Sequence, residues 1–147
     1  MLIVQKYGGS SVADAERVFN VARRIMKTKA EGNQVVVVLS AQGKTTDGLI
    51  AKAKEINPRA SRREMDMLLA TGEQQSVALM AMAINALGGR AVSLNAVQVG
   101  IETTNTYSNA RIRTIHTERI ENELERSNVV LVTGFQGVNQ LGDLTTL

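Results

Sequence analysis

Residues 6–12 read Lys6-Tyr7-Gly8-Gly9-Ser10-Ser11-Val12 and follow directly on the apolar run Leu2-Ile3-Val4. The order is a short buried strand, a Gly-Gly turn and the start of a helix. Ser11 stands three residues before Asp14 and just ahead of Val18, Val21, Ala22 and Ile25, a capping-box pattern in front of a helical apolar face. Backbone N–H groups at a helix N-terminus, with no Cβ in the way at Gly8 and Gly9, make an anion site. Lys6 adds a full positive charge at the end of the strand. By itself the stretch admits two readings: a phosphate cradle, or an ordinary strand–helix turn with a surface lysine.

Working outward, Gly32-Asn33 ends a helix expected from about Val12 to Lys29. Gln34 to Ser40 (QVVVVLS) is β-branched on both faces, as in a parallel strand covered on both sides. Strand, helix, strand at this spacing is one right-handed βαβ unit. The polar loop Ser40-Ala41-Gln42-Gly43-Lys44-Thr45-Thr46-Asp47 leaves the carboxyl end of the second strand, where open α/β sheets bind ligands. A helix from Asp47 to Ile56 ends at Asn57-Pro58. Ser61-Arg62-Arg63-Glu64 reads as a capping box opening a short helix through Ala70. Thr71-Gly72-Glu73-Gln74 reads as another, starting a separate apolar helix that stops at Gly88-Gly89. Strands are expected at Arg90 to Leu94, Val97 to Gly100 and Asn128 to Thr133, with a polar loop over Thr103 to Asn109 and a helix over Thr117 to Arg126. Asn139 to Gly142, between Val138 and Leu144, forms a hairpin turn. The alternation predicts a three-layer α/β/α sandwich around a mostly parallel central sheet.

Composition narrows the function classes. The 147 residues, 44% hydrophobic and 21% charged, match one soluble globular domain. The longest apolar run, Val35 to Leu39, is too short to span a membrane, and Met1-Leu2-Ile3 has no basic n-region of a signal peptide. There is no cysteine and a single histidine, His116, which removes disulfides, thiolate chemistry and multi-histidine metal sites. A net charge of +3, from 17 basic and 14 acidic residues, comes with only two Phe and two Tyr to stack on bases. Solvated helix faces account for that balance better than a nucleic-acid groove. The expectation is a cytoplasmic enzyme or binding domain.

Three loops fall on one rim of the expected sheet: Lys6 to Ser11, Ser40 to Asp47, and Thr133 to Gly137. Lys6 is suited to a phosphate oxygen on which negative charge develops. Ser40 and Thr46 can hydrogen-bond a small polar substrate, and Glu73 can meet an ammonium group. Each also has a plain reading: a surface lysine, loop or cap hydroxyls, and a first-turn carboxylate favoured by the helix dipole. Neither G-x-x-x-x-G-K-[ST] nor G-x-G-x-x-G is present, so this is not a P-loop NTPase, nor does a dinucleotide fingerprint open the first helix.

Taken in order, the segments resemble the aspartokinases. Lys6 to Val12 is similar to the family's K-[FY]-G-G-[ST]-S-V signature, and Val35 to Ala41 with Thr45-Thr46-Asp47 to its second strand and hydroxyl loop. Arg63-Glu64-Met65-Asp66 through Leu69-Ala70-Thr71-Gly72-Glu73-Gln74 resembles R-E-x-D-x-L-L-x-T-G-E-Q. Gln98-Val99-Gly100-Ile101, Ala110-Arg111-Ile112 and Thr133-Gly134-Phe135-Gln136-Gly137 with Thr145-Thr146-Leu147 complete the pattern, so that the likeness covers all 147 residues. The resemblance implies the amino-acid-kinase fold and transfer of the ATP γ-phosphoryl group to the β-carboxylate of L-aspartate, with Mg²⁺. The product would be 4-phospho-L-aspartate, on the way to lysine, threonine and methionine. It also implies roles by position: Lys6 as the catalytic charge; Lys6, Tyr7, Gly8, Gly9, Ser10 and Ser40 at the ATP phosphates; and Thr46, Glu73 and Ser40 at aspartate. No residue is implied as a metal ligand, and the parent enzyme is expected to be a homo-oligomer that binds neither nucleic acid nor membrane.

In the family the T-T-L run continues into G-R-G-G-S-D, which would begin at residue 148. The resemblance thus implies that residues 1–147 are the N-terminal portion of an amino-acid-kinase catalytic domain, with the nucleotide-binding half and the ACT regulatory domains expected to be absent. The expectation is a chain inactive alone, prone to self-association through exposed apolar surface. The alternatives are a glutamate or acetylglutamate kinase of the same fold, or a non-catalytic binding or regulatory module.

Overall fold

The computed structural model describes residues 1–147. Strand β1 (Leu2–Tyr7) leads through a single 3₁₀ turn (Gly9–Val12) into α1 (Ala15–Ala30), followed by β2 (Gln34–Leu39), α2 (Thr45–Ile56) and α3 (Arg62–Ala86). Then come β3 (Ala91–Leu94), α4 (Ala96–Val99), β4 (Ile101–Thr103), β5 (Ile112–Ile115) and α5 (Glu118–Glu125). The chain closes with β6 (Val129–Thr133), β7 (Gln136–Val138) and β8 (Leu144–Thr146). No helix is long and apolar enough to cross a membrane.

Four strands form a wholly parallel sheet in the order β1-β2-β6-β3. Both faces of its central strands are covered, which is why β2 and β6 carry β-branched residues without alternation. On one face Val35, Val37, Leu39, Val129 and Leu131 pack with Val21 and Ile25 of α1 and with Val77, Met80 and Ile84 of α3. On the other, Val36, Val130 and Val132 meet Ala96 and Val99 of α4 and Leu124 of α5. The three-layer sandwich and its parallel sheet are as expected. Edge strand β1 alternates, and leaves Leu2 and Val4 exposed on its outer face. The register aligns Tyr7 with Leu39 and Leu39 with Thr133, so the loops after β1, β2 and β6 start side by side.

Other expectations need correction. Asp14, not Ser11, caps α1: its Oδ1 accepts from the Arg17 backbone N–H at 2.9 Å, so a carboxylate already occupies that helix N-terminus. Residues 96–99 form one helical turn rather than a strand, capped by Asn95 and closed by left-handed Gly100. The two helices expected on either side of Thr71 are a single 25-residue helix. The Thr71 hydroxyl donates to the Leu68 carbonyl at 2.7 Å, within that helix, instead of capping a new one. A second sheet, β5-β4-β7-β8, also forms; it contains the expected hairpin and the unexpected strand β5.

The first half of α3 grips this second sheet. Asp66 is fully buried and accepts four hydrogen bonds, from the backbone N–H groups of Ser108 (2.8 Å) and Thr146 (2.9 Å) and from their hydroxyls (3.1 and 2.8 Å). One turn earlier the Arg63 guanidinium forks onto Asp143 at 2.9 and 3.3 Å, and one turn later the Ala70 carbonyl accepts from Gln136 at 3.0 Å. Arg63, and then the Tyr107 hydroxyl, hold the Asp143 carboxyl below the usual carboxylate range. Removing the Asp66 carboxylate orphans the buried N–H and hydroxyl of Thr146 and releases the loop at Ser108, which is exposed to solvent. Asp66→Ala is expected to lower the unfolding free energy by about 3 kcal/mol or more, and Ser108→Ala by about 1 kcal/mol, in urea denaturation of the chain. Equal midpoints for Asp66→Ala and wild type would contradict the hub.

Candidate functional site

A cleft of about 660 Å³ opens at the carboxyl ends of β1 and β2, lined among others by Lys6, Gly9, Ser40, Thr46, Glu73 and Phe135. Strand alternation decides which residues of the opening motif reach it. Val4 and Lys6 lie on the cleft side of β1, whereas Tyr7 packs against the α1 core and donates to Gln5 Oε1 at 3.0 Å. Tyr7 and Ser10 line a separate hollow with Arg17 and Arg24, and the Gly8 carbonyl accepts from the Ser11 N–H at 3.1 Å within the 3₁₀ turn. Of the residues expected at the phosphates, the structure therefore brings Lys6, Gly9 and Ser40 to the cleft, and leaves Tyr7, Gly8 and Ser10 outside its lining. All three residues expected at the substrate, Ser40, Thr46 and Glu73, line it.

Close backbone approach holds these residues together. A Cβ on Gly9 would stand 2.6 Å from the Ala41 carbonyl oxygen, and one on Gly72 would stand 2.9 Å from the Ala41 Cβ. Ala41 is thus wedged between the β1 turn and α3, and any side chain at Gly9 or Gly72 would force them apart. The Gly43 N–H donates to the Gly9 carbonyl at 2.9 Å, and Gln42 Nε2 to the Val12 carbonyl at 2.9 Å, which tie the two loops further. On the far side, a Cβ on Gly134 would stand 3.2 Å from the Leu39 carbonyl oxygen.

Phe135 was not legible as a site residue. It lines the cleft with 55% of its surface exposed and takes a left-handed backbone, φ 64°. That conformation is costly for a bulky residue, by about 1–2 kcal/mol. The neighbouring bonds Gly134 N–H to Leu39 carbonyl (2.9 Å) and Leu147 N–H to Phe135 carbonyl (3.0 Å) hold it. His116, by contrast, lies with its Nε2 3.1 Å from Glu102 Oε1 on the second sheet and takes no part in the lining.

The electrostatics of the cleft are divided. Lys6 is exposed, and none of the chain's ion pairs engages it. Together with the side-chain-free backbone at Gly9 it suits an anion such as a phosphate group. Glu73 is the opposite case. It lies in the middle of α3, not in a first turn, with 4% of its surface exposed and Oε2 unpartnered. Burial pushes its carboxyl up to about 7, against a small opposing pull from its own backbone N–H.

A carboxyl raised on folding binds more protons in the folded state, so its contribution favours folding below the unfolded value and is lost as pH rises through the folded one. Between pH 4.5 and about 7 Glu73 should therefore subtract stability from the chain. The upper bound is about 3 kcal/mol, reduced to about 1–2 kcal/mol by solvent at the open cleft. Glu73→Gln is expected to be more stable than wild type at pH 8 by that amount and equally stable at pH 4.5, in urea melts at both pH values. A Glu73→Gln chain less stable at pH 8 would show that the carboxylate is compensated.

A family model described as the amino acid kinase family matches residues 1–147. Among relatives, the aspartokinase of Mycolicibacterium smegmatis is 54% identical over 147 residues, covering 99% of this chain and 35% of that enzyme. The chain thus spans about a third of the length of the curated relatives it matches. Among solved structures, aspartate kinase from Synechocystis superposes with a TM-score of 0.79 at 46% identity, over 94% of this chain and 22% of that one. Escherichia coli aspartokinase III in complex with aspartate and ADP shares the fold, with a TM-score of 0.86 at 20% identity over 100% of this chain and 43% of that one. The parallel sheet, the rim of three loops and the match of every residue converge: the chain belongs to the amino acid kinase family.

Proposed function

We propose that this chain forms the phosphate-cradle and substrate-amine side of an ATP-dependent kinase site that phosphorylates the β-carboxylate of L-aspartate to 4-phospho-L-aspartate. The observation that carries the reading is one cleft lined by an unpaired lysine and an unpaired buried carboxylate, in a chain 54% identical to an aspartokinase. Lys6, with the Gly9 backbone and Ser40, faces the phosphates; bound ATP supplies the γ-phosphoryl group. The fixed Lys6 charge meets the negative charge that grows on the transferring group, which is stabilisation by a preorganised charge and needs no covalent intermediate. Thr46 and Ser40 hydrogen-bond the amino acid, and Glu73 receives its ammonium group. A buried carboxylate at that place disfavours an N-acylated substrate, whose amine carries no charge, and so separates this reading from an acetylglutamate kinase.

The surroundings of the reaction belong to the same proposal: a cytoplasmic homo-oligomer acting in biosynthesis of the aspartate-derived amino acids, with aspartate, ATP and Mg²⁺ as its small-molecule partners. Residues 1–147 supply one side of the site, and by themselves are expected to give no aspartate-dependent hydroxamate.

The test is a chimera in which residues 1–147 replace the matching segment of the Mycolicibacterium smegmatis enzyme. It is expected to form aspartyl hydroxamate with ATP. Lys6→Ala should lower kcat about 10²–10³-fold, the range for losing one preorganised charge-stabilising donor. Glu73→Gln should raise the KM for aspartate at least tenfold while leaving the KM for ATP in place. A Lys6→Ala chimera with unchanged kcat, or a chimera preferring glutamate, would overturn the proposal.

A further inference from the structure

Phe135 combines features that a chain ordinarily keeps apart. Of the two Phe and two Tyr side chains it alone is exposed, and it belongs to neither hydrophobic core. Its backbone is left-handed, φ 64°, where a bulky residue is strained, and its side chain lines the cleft. Strain of this kind persists only where the surroundings over-determine it, and it concentrates at places that hold a ligand.

The surroundings of Phe135 do over-determine it. Before it, the Gly134 N–H donates to the Leu39 carbonyl at 2.9 Å, and a Cβ at Gly134 would meet that oxygen and Val38 Cγ1, each at 3.2 Å. After it, buried Gln136 donates from its amide nitrogen to the Ala70 carbonyl at 3.0 Å, and pairs with Thr146 across the hairpin. At Phe135 itself the carbonyl accepts from the Leu147 N–H at 3.0 Å, beside Thr146, whose N–H and hydroxyl are clamped by Asp66. The backbone before, at and after Phe135 is thus tied to β2, to the end of β8 and to α3. Returning its φ to the ordinary region would break these ties.

The strand order β1-β2-β6 decides which part of the cleft the ring serves. Lys6 is on β1, Ser40 and Thr46 follow β2, and Phe135 follows β6, on the side of the β2 loop away from Lys6. Glu73 is three residues beyond Ala70 on α3, one turn from the carbonyl that Gln136 holds. The ring therefore flanks the amino-acid half of the cleft and not the phosphate half. Its polar neighbours there can bind the ends of an amino acid but cannot measure the carbon chain between them. A fixed apolar surface can, because a methylene that overlaps it finds no room.

The geometry points to Phe135 as the residue that sets the permitted length of the substrate side chain, its ring a rigid stop that admits the single methylene of aspartate and rejects the two of glutamate. This rests on the reading above that the cleft takes a free dicarboxylic amino acid. The pinned backbone is what makes the stop rigid, since a ring on an untied loop would swing aside for a longer chain.

The test is kcat/KM of the same chimera for L-aspartate and L-glutamate, as wild type, Phe135→Ala and Phe135→Gly. Both substitutions remove the ring, and both are expected to lower the aspartate-to-glutamate ratio about tenfold or more, the range for one methylene at a packed wall, with the KM for ATP unmoved. Phe135→Gly is also expected to unfold at higher urea than Phe135→Ala, because only glycine takes the left-handed backbone freely. An unchanged ratio in both variants, an equal loss with both substrates, or a matching rise in the KM for ATP overturns the inference alone. Greater urea resistance of Phe135→Ala than of Phe135→Gly overturns the strained, rigid stop. Failure of the wild-type chimera to phosphorylate aspartate overturns the proposed function beneath it.

Discussion

The wedging of Ala41 between two glycines is the contact on which the site depends. Its carbonyl oxygen stands where Gly9 would carry a Cβ, and its methyl group where Gly72 would. The consequences follow from adjacency in the chain. Lys6 is three residues before one glycine, Glu73 is the residue after the other, and Ser40 precedes Ala41 itself. One close approach thus delivers a cation from a strand end, a hydroxyl from a loop and a carboxylate from a helix into the same cleft. The parallel register prepares this by ending β1, β2 and β6 level with one another.

A second constraint keeps α3 from shifting under Ala41. Its first three turns are pinned to the second sheet through Arg63, Asp66 and Ala70, and its later turns to the parallel sheet through Val77, Met80 and Ile84. The helix is therefore a spine shared by both sheets, and Glu73 lies at the changeover. A helix fixed on both sides holds Glu73 in place with 4% of its surface exposed, so the cost of burying its carboxylate stays in the chain.

Much of this was legible in the sequence. The β-branched runs of β2 and β6 gave away a sheet buried on both faces, and the loop chemistry after each strand pointed to Lys6, Ser40 and Thr46. Glu73 sits in mid-helix, not at the helix start its local sequence suggests. Thr71-Gly72-Glu73 has the composition of a helix start, and the fact that Gly72 is there to admit Ala41 is a tertiary contact with no local signature. Tyr7 follows Lys6 on the strand, so its side chain faces the other way, onto the α1 core. Strand β5 is exposed at every position and so shows no alternation of burial to read, while Phe135 owes its place to a left-handed backbone that nothing in its own type announces.

The chemistry of the cleft turns on Glu73 being buried without a compensating partner in this chain. The most direct measurement is a ¹³C NMR titration of the Glu73 side-chain carboxyl carbon in the ligand-free 147-residue chain, assigned by its loss in Glu73→Gln. Uncompensated burial predicts a midpoint at about 7. A midpoint in the ordinary glutamate range, about 4.3, would contradict it.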